Sequence, residues 1–139
     1  MRIISPATIF DNASLTFTGD TDTRTSTAST GYTGASGGRN VFITNTVGRF
    51  FEISNINTSD YIDLTLSLGH YKSTTAGNNE LIVETSSDGV TYSPLTYSRT
   101  TGSGTANWIL INPTGVIPSA ANLRIRFRQT STTTQFRID

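Results

Sequence analysis

The sequence predicts an all-β protein, a jelly-roll β-sandwich of two antiparallel sheets, and three observations predict it. Leu64, Leu66 and Leu68 alternate with Thr65, Ser67 and Gly69, and Leu123, Ile125 and Phe127 alternate with Arg124, Arg126 and Arg128. A period of two is what a strand buried on one face requires, because successive side chains point to opposite sides. Short β-prone runs recur along the chain, separated by clusters of Gly, Ser, Thr, Asn and Asp, the spacing of a sandwich or barrel. No stretch carries the apolar repeat of a useful amphipathic helix. About ten such strands need two sheets packed face to face, which the jelly roll provides.

The expected elements begin with Ala7–Phe10 and Leu15–Thr18, on either side of Asp11-Asn12. Thr21–Ser29 alternates threonine and serine with little apolar content, as an edge strand or ordered loop would. Gly31–Gly38 is a glycine-rich turn between sheets; it lacks the Lys-Ser/Thr pair and the following helix of a phosphate-binding loop. Val41–Thr44 and Phe50–Ser54 are the next two strands, with a turn at Asn45–Gly48, and Asn55–Asp60 is a run of turn formers. The central strand is Tyr61–Lys72, which places His70 with the inward leucines and Tyr71 on the opposite face. Glu80–Ser86 follows. Asp88-Gly89 then reads as a tight hairpin turn into Thr91–Ser98, since both turn positions tolerate positive φ. Thr100–Thr105 is a loop and Ala106–Ile111 holds the only tryptophan, Trp108. Pro113 and Pro118 bracket a connection, Asn122–Thr130 turns its arginines outward, and Gln135–Asp139 closes the chain.

At 139 residues the chain suits a single domain, residues 1–139, with one sizeable core. Ten basic residues balance ten acidic ones, and charged residues are 14% of the chain, well below the usual quarter. So weak a field argues against nucleic acid or an anionic membrane as partner. Solubility falls instead to hydroxyl and amide groups, and β-branched threonine suits a half-exposed strand. The absence of cysteine excludes Cys-based zinc sites and thiol catalysis, and leaves export open. No run of about eighteen apolar residues marks a membrane span. The start, MRIISPATIF, lacks the apolar region of a signal peptide. The expectation is a monomeric domain excised from a larger secreted protein, with flanking domains as neighbours.

Several segments together carry a resemblance: Phe10-Asp11; Ala35-Ser36-Gly37-Gly38 with Asn40-Val41-Phe42; Phe51-Glu52-Ile53 with Asn57-Thr58; Leu64-Thr65-Leu66-Ser67 with Gly69; Glu84-Thr85-Ser86-Ser87-Asp88-Gly89; and Asn122-Leu123-Arg124-Ile125-Arg126-Phe127 leading to Arg137-Ile138-Asp139. Over nearly its whole length the chain resembles the jelly-roll accessory modules of large Bacteroidetes-type secreted proteins, which are distantly similar to MAM domains and carbohydrate-binding modules. The resemblance implies architecture more than ligand, and a non-catalytic appendage beside hydrolases, adhesins or nucleases. It also implies a structural calcium where an early and a late acidic residue meet, which places Asp11, Asn12 and Asp139 at the metal; Asp20 and Asp22 could add oxygens. Calcium takes six to eight hard oxygen ligands, which Asp, Asn and backbone carbonyls supply. The same Asp11 and Asn12 could instead cap a turn through their own backbone. The chain departs from the pattern in lacking cysteines and in ending at Asp139 without a further acidic residue.

A sugar site combines an aromatic face with planar hydrogen-bonding groups. The ligand-binding candidates are Tyr71, Tyr97, Arg99, Arg126, Arg128 and Gln129, with His70 and Trp108 as further possibilities. Against this, Trp108 lies among Ile109, Leu110 and Ile111 and fits a core, and the arginines could simply pair with Asp63 and Glu84 across strands. Arg124, Arg126 and Arg128 on one face suit a sulfated or uronic polysaccharide better than nucleic acid. Catalysis is not expected. There is one histidine and no G-x-S-x-G nucleophile elbow, and Glu80 and Glu84 lie about 13 Å apart along a strand, too far for a glycosidase pair. The reading is a non-catalytic carbohydrate-binding module, secreted or on the cell surface, recognising an extracellular polysaccharide. Its alternative is a structural spacer or adhesion module without a small ligand.

Overall fold

Alternating apolar residues bring this chain together as two antiparallel sheets around one core. The computed structural model describes residues 2–5, 8–10, 14–73 and 79–139. Its strands are β1 (Arg2–Ser5), β2 (Thr8–Phe10), β3 (Thr16–Gly19), β4 (Asp22–Arg24), β5 (Asn40–Ile43), β6 (Phe50–Ile56), β7 (Thr65–Lys72), β8 (Leu81–Ser86), β9 (Ser93–Leu95), β10 (Trp108–Ile111), β11 (Leu123–Gln129) and β12 (Phe136–Ile138). Among the described residues there is no helix.

Eight strands form antiparallel pairs joining early and late sequence: β5 with β12, β6 with β11, β7 with β10, and β8 with β9. The pairs fall alternately into two sheets, ordered β5-β12-β7-β10 and β6-β11-β8-β9. A ribbon of paired strands rolled in this way is the jelly roll. β4 extends the first sheet beyond β5 and β3 extends the second beyond β6. A β1–β2 hairpin runs along the start of β7.

The facing sides hold the core. Ile43, Leu66, Leu68, Ile111, Phe136 and Ile138 come from one sheet, and Ile53, Ile56, Leu81, Val83, Leu95, Leu123, Ile125 and Phe127 from the other; all are buried. Each such side chain contributes about 1.5–3 kcal/mol on leaving water, before the entropy of ordering it.

Several elements differ from the sequence reading, β1 among them, and three of the differences have a clear physical reason. The central strand starts at Thr65 rather than Tyr61, because Asp63 takes a left-handed φ of 55° and the preceding loop is tied to residues 118–120 through Thr58. β6 runs on to Ile56 through a bulge. Leu123 pairs with Ile56 but Ile125 pairs with Ile53, so Ser54 and Asn55 together oppose one residue. Asn55 holds the bulge at φ 61°, its N–H donating to Asn122 Oδ1 at 2.7 Å. Finally, β8 and β9 last pair at Thr85 and Ser93, so Asp88-Gly89 lies inside a longer loop instead of making a two-residue turn. Asp88 organises that loop by accepting from the Val90 and Thr91 N–H groups, each at 2.8 Å.

Candidate functional site

The outward face of the sheet β3-β6-β11-β8-β9 concentrates the fold's ion pairs. Register sets Arg126 between Glu52 on β6 and Glu84 on β8. The period of two sends Arg124 and Arg128 to the same face, each about 6.6 Å along the strand. Arg126 Nε donates to Glu84 Oε1 at 2.7 Å and Arg128 Nε to the same oxygen at 3.0 Å. Arg124 Nη1 donates to Glu52 Oε1 at 3.1 Å. The carboxylates lie beneath and the cations above: the Glu52 and Glu84 side chains are 8% and 5% exposed, whereas Arg124, Arg126 and Arg128 are 31%, 25% and 37% exposed.

Tyr92 is laid across this lattice. Its ring stacks on Arg126, the guanidinium carbon lying 3.4 Å from the ring centroid. Its hydroxyl donates to Glu52 Oε2 at 2.6 Å. Burial, then the hydrogen bond to Glu52, raises the phenol pKa, so the hydroxyl stays a donor at neutral pH. The Asp88 loop brings the ring there. Hydrogen bonds from the Val90 and Thr91 backbone and from Ser86 hold the Asp88 carboxyl at about 2. Gly89, at φ 74°, lets the backbone close over the Arg124 guanidinium, where a Cβ would meet Nε at 2.8 Å. The result is a half-buried aromatic ring fixed on the middle arginine of the strand, with Arg124 and Arg128 one step along β11 on either side of that arginine.

The residues singled out from sequence do not gather in one place. Arg126 and Arg128 belong to this face. Tyr71 belongs to the outward face of the other sheet, where register sets it between Trp108 and Arg137. Trp108 also points outward, yet it is buried because residues 25–38 cross over it: its Nε1–H donates to the Thr27 carbonyl and its ring tilts against Tyr32. Tyr32 in turn passes over Gly69, which has no Cβ to obstruct it. The glycine-rich segment is thus a cover on the sheet. Arg137, stacked on Phe42 together with Arg24, completes that face.

Tyr97, Arg99 and Gln129 are corrections to the expected binding set, because each faces inward. Tyr97 donates to the Leu81 carbonyl at 2.5 Å and packs on His70. Arg99 is buried, and its Nη2 donates to the carbonyls of Thr105 and Asn107. Gln129 is fully buried, its amide bridging Thr44, Thr134 and Ser131. His70 joins the inward leucines, as its register requires. It has no exposed surface, and neither ring nitrogen has a hydrogen-bond partner. Burial, with the nearby Arg99 and Lys72 cations, lowers its pKa to about 3, so the ring is neutral.

Of the expected calcium ligands, Asp11 and Asn12 lie outside the described residues. Asp139 accepts from Tyr32 Oη at 2.6 Å, from the Ser36 N–H at 3.0 Å and from the Ser36 hydroxyl. Burial alone would raise its pKa, but these donors prevail and hold it at about 2. Asp20 accepts from the Phe50 N–H at one end of β6, and Asp22 pairs with Arg24. No group of three or more His, Cys, Asp or Glu converges among the described residues. No helix there is long and apolar enough to cross a membrane.

Sequence reasoning missed Tyr92 and Glu52. The available signal was an aromatic just beyond Asp-Gly and a glutamate facing the arginine strand. No protein-family model matches the chain, and no curated protein sequence is significantly similar to it.

Proposed function

We propose that this chain is a non-catalytic carbohydrate-binding module of a larger secreted or surface protein, and that it binds polysaccharide on the outward face of β3-β6-β11-β8-β9. One observation carries the reading: the Tyr92 ring is stacked on the Arg126 guanidinium and pinned at its hydroxyl by Glu52. A ring fixed in this way offers the C–H face of a pyranose an apolar platform with no rotamer left to freeze on binding. Arg124 and Arg128 beside it supply oriented N–H donors. The resemblance to accessory modules of multidomain secreted proteins supports a binding rather than a catalytic role.

The test is a glycan array probed with the labelled domain, followed by affinity electrophoresis on the best glycan. Retention should fall at least tenfold in Tyr92→Ala and remain unchanged in Tyr71→Ala, which alters the opposite sheet. If no glycan retains the wild-type domain, the spacer or adhesion reading replaces this one.

A further inference from the structure

Resting on that reading, we infer that the polysaccharide is acidic, carrying carboxylate or sulfate groups that dock on the arginines around Tyr92. The argument lies in how the lattice divides its charges between interior and water. Three guanidiniums share two carboxylates in direct ion pairs, so one positive charge is left without a direct partner, the nearby Asp88 carboxylate being taken up by Ser86, Val90 and Thr91 of its own loop. The carboxylates are almost wholly covered, whereas a quarter or more of each arginine side chain reaches solvent. At the cluster itself solvent therefore meets N–H donors and an aromatic ring, the carboxylate acceptors being covered.

A neutral sugar presents hydroxyls, each wanting both to donate and to accept. A surface rich in donors and poor in acceptors satisfies only half of that demand. An anionic group only accepts, and a planar carboxylate or a sulfate matches the guanidinium fork. The fixed cations are already oriented by Glu84 and Glu52, so no reorganisation is required when the anion arrives. The sequence as a whole has zero formal net charge, so attraction to a polyanion must be local to this face.

The experiment is affinity electrophoresis of the whole chain in four gels at moderate salt: polygalacturonate, its methyl-esterified form, dextran sulfate and unmodified dextran. The expected result is retardation by polygalacturonate, dextran sulfate or both, at least tenfold stronger than by the uncharged counterpart. A response to only one of the two identifies the anion as carboxylate or sulfate. Arg128→Gln and Tyr92→Ala should each weaken retardation tenfold or more, while Arg137→Gln, on the opposite sheet, should not. Melting of each variant checks its folding, and Arg128→Lys, which keeps the charge but loses the fork, substitutes if Arg128→Gln does not fold. Equal retardation by charged and uncharged forms overturns the acidic assignment and leaves the polysaccharide reading standing. Retardation by none of the four overturns the acidic assignment, and the glycan array then decides whether the polysaccharide reading falls with it. Binding to a polyanion that survives both Arg128→Gln and Tyr92→Ala overturns the site.

Discussion

Acidification should destabilise this protein through a single side chain. His70 has no exposed surface, is flanked by the rings of Tyr97 and Phe136, and faces the cationic groups of Arg99 and Lys72. Burial, reinforced by those cations, drops its pKa from 6.5 to about 3. A base with a depressed folded pKa takes up its proton more readily in the unfolded chain. Its contribution is therefore complete above pH 6.5 and is lost progressively as pH falls toward 3. At pH 5 the unfolded histidine is almost fully protonated and the folded one almost fully neutral, a difference of about 2 kcal/mol. The window is clean because the chain has one histidine and no cysteine. Asp88 and Asp139, both held near 2, lose their own contribution only below the ordinary carboxylate range. Urea unfolding at pH 7.5 and pH 5 should show the loss in wild type and little of it in His70→Leu. A wild-type midpoint that does not move between these pH values would refute the reasoning, as would an equal loss in the leucine variant.

Two further outcomes test the packing. Glu84→Gln leaves Arg126 and Arg128 without their shared carboxylate and should cost about 2 kcal/mol in urea unfolding, less than the ~3–5 kcal/mol of a wholly buried pair because both guanidiniums reach water. Gly69→Ala puts a methyl group where the Tyr32 ring lies; it should cost about 1–3 kcal/mol and speed proteolysis of residues 25–38, and an unchanged cleavage rate would mean that the segment is not held there by Tyr32.

The sequence reading succeeded where periodicity and burial agree. In β11 the alternation of Leu123, Ile125 and Phe127 with three arginines fixed both the strand and the face each residue takes. The same logic placed His70 inside and Tyr71 outside. It ended the strand at Phe50–Ser54 two residues too soon, because a bulge at Ser54-Asn55 gives Ile53 and Ile56 a spacing of three that a period of two cannot register. Arg99 and Gln129 looked like surface groups, since their polarity conceals that neighbouring carbonyls satisfy them in the interior. Trp108 looked like core and is covered, but by a polar segment laid over the outside of a sheet. Tyr92 escaped notice because its position depends on a loop turned by Asp88 and a bond to Glu52 on a distant strand, and neither is a local pattern.

The placement of β12 has a consequence for assembly. This late strand lies in the middle of its sheet, with Phe136 beside Ile43 on one flank and Lys72 on the other. Until residues 136–138 arrive, no strand joins β5 to β7, and the gap between them leaves backbone N–H and C=O groups unpaired and core side chains uncovered. Partners so remote in sequence pay a large closure entropy before any reward, which makes for slow maturation. A chain in which residues 136–138 are not yet available therefore stays open between β5 and β7, and the sandwich closes only once they are in place.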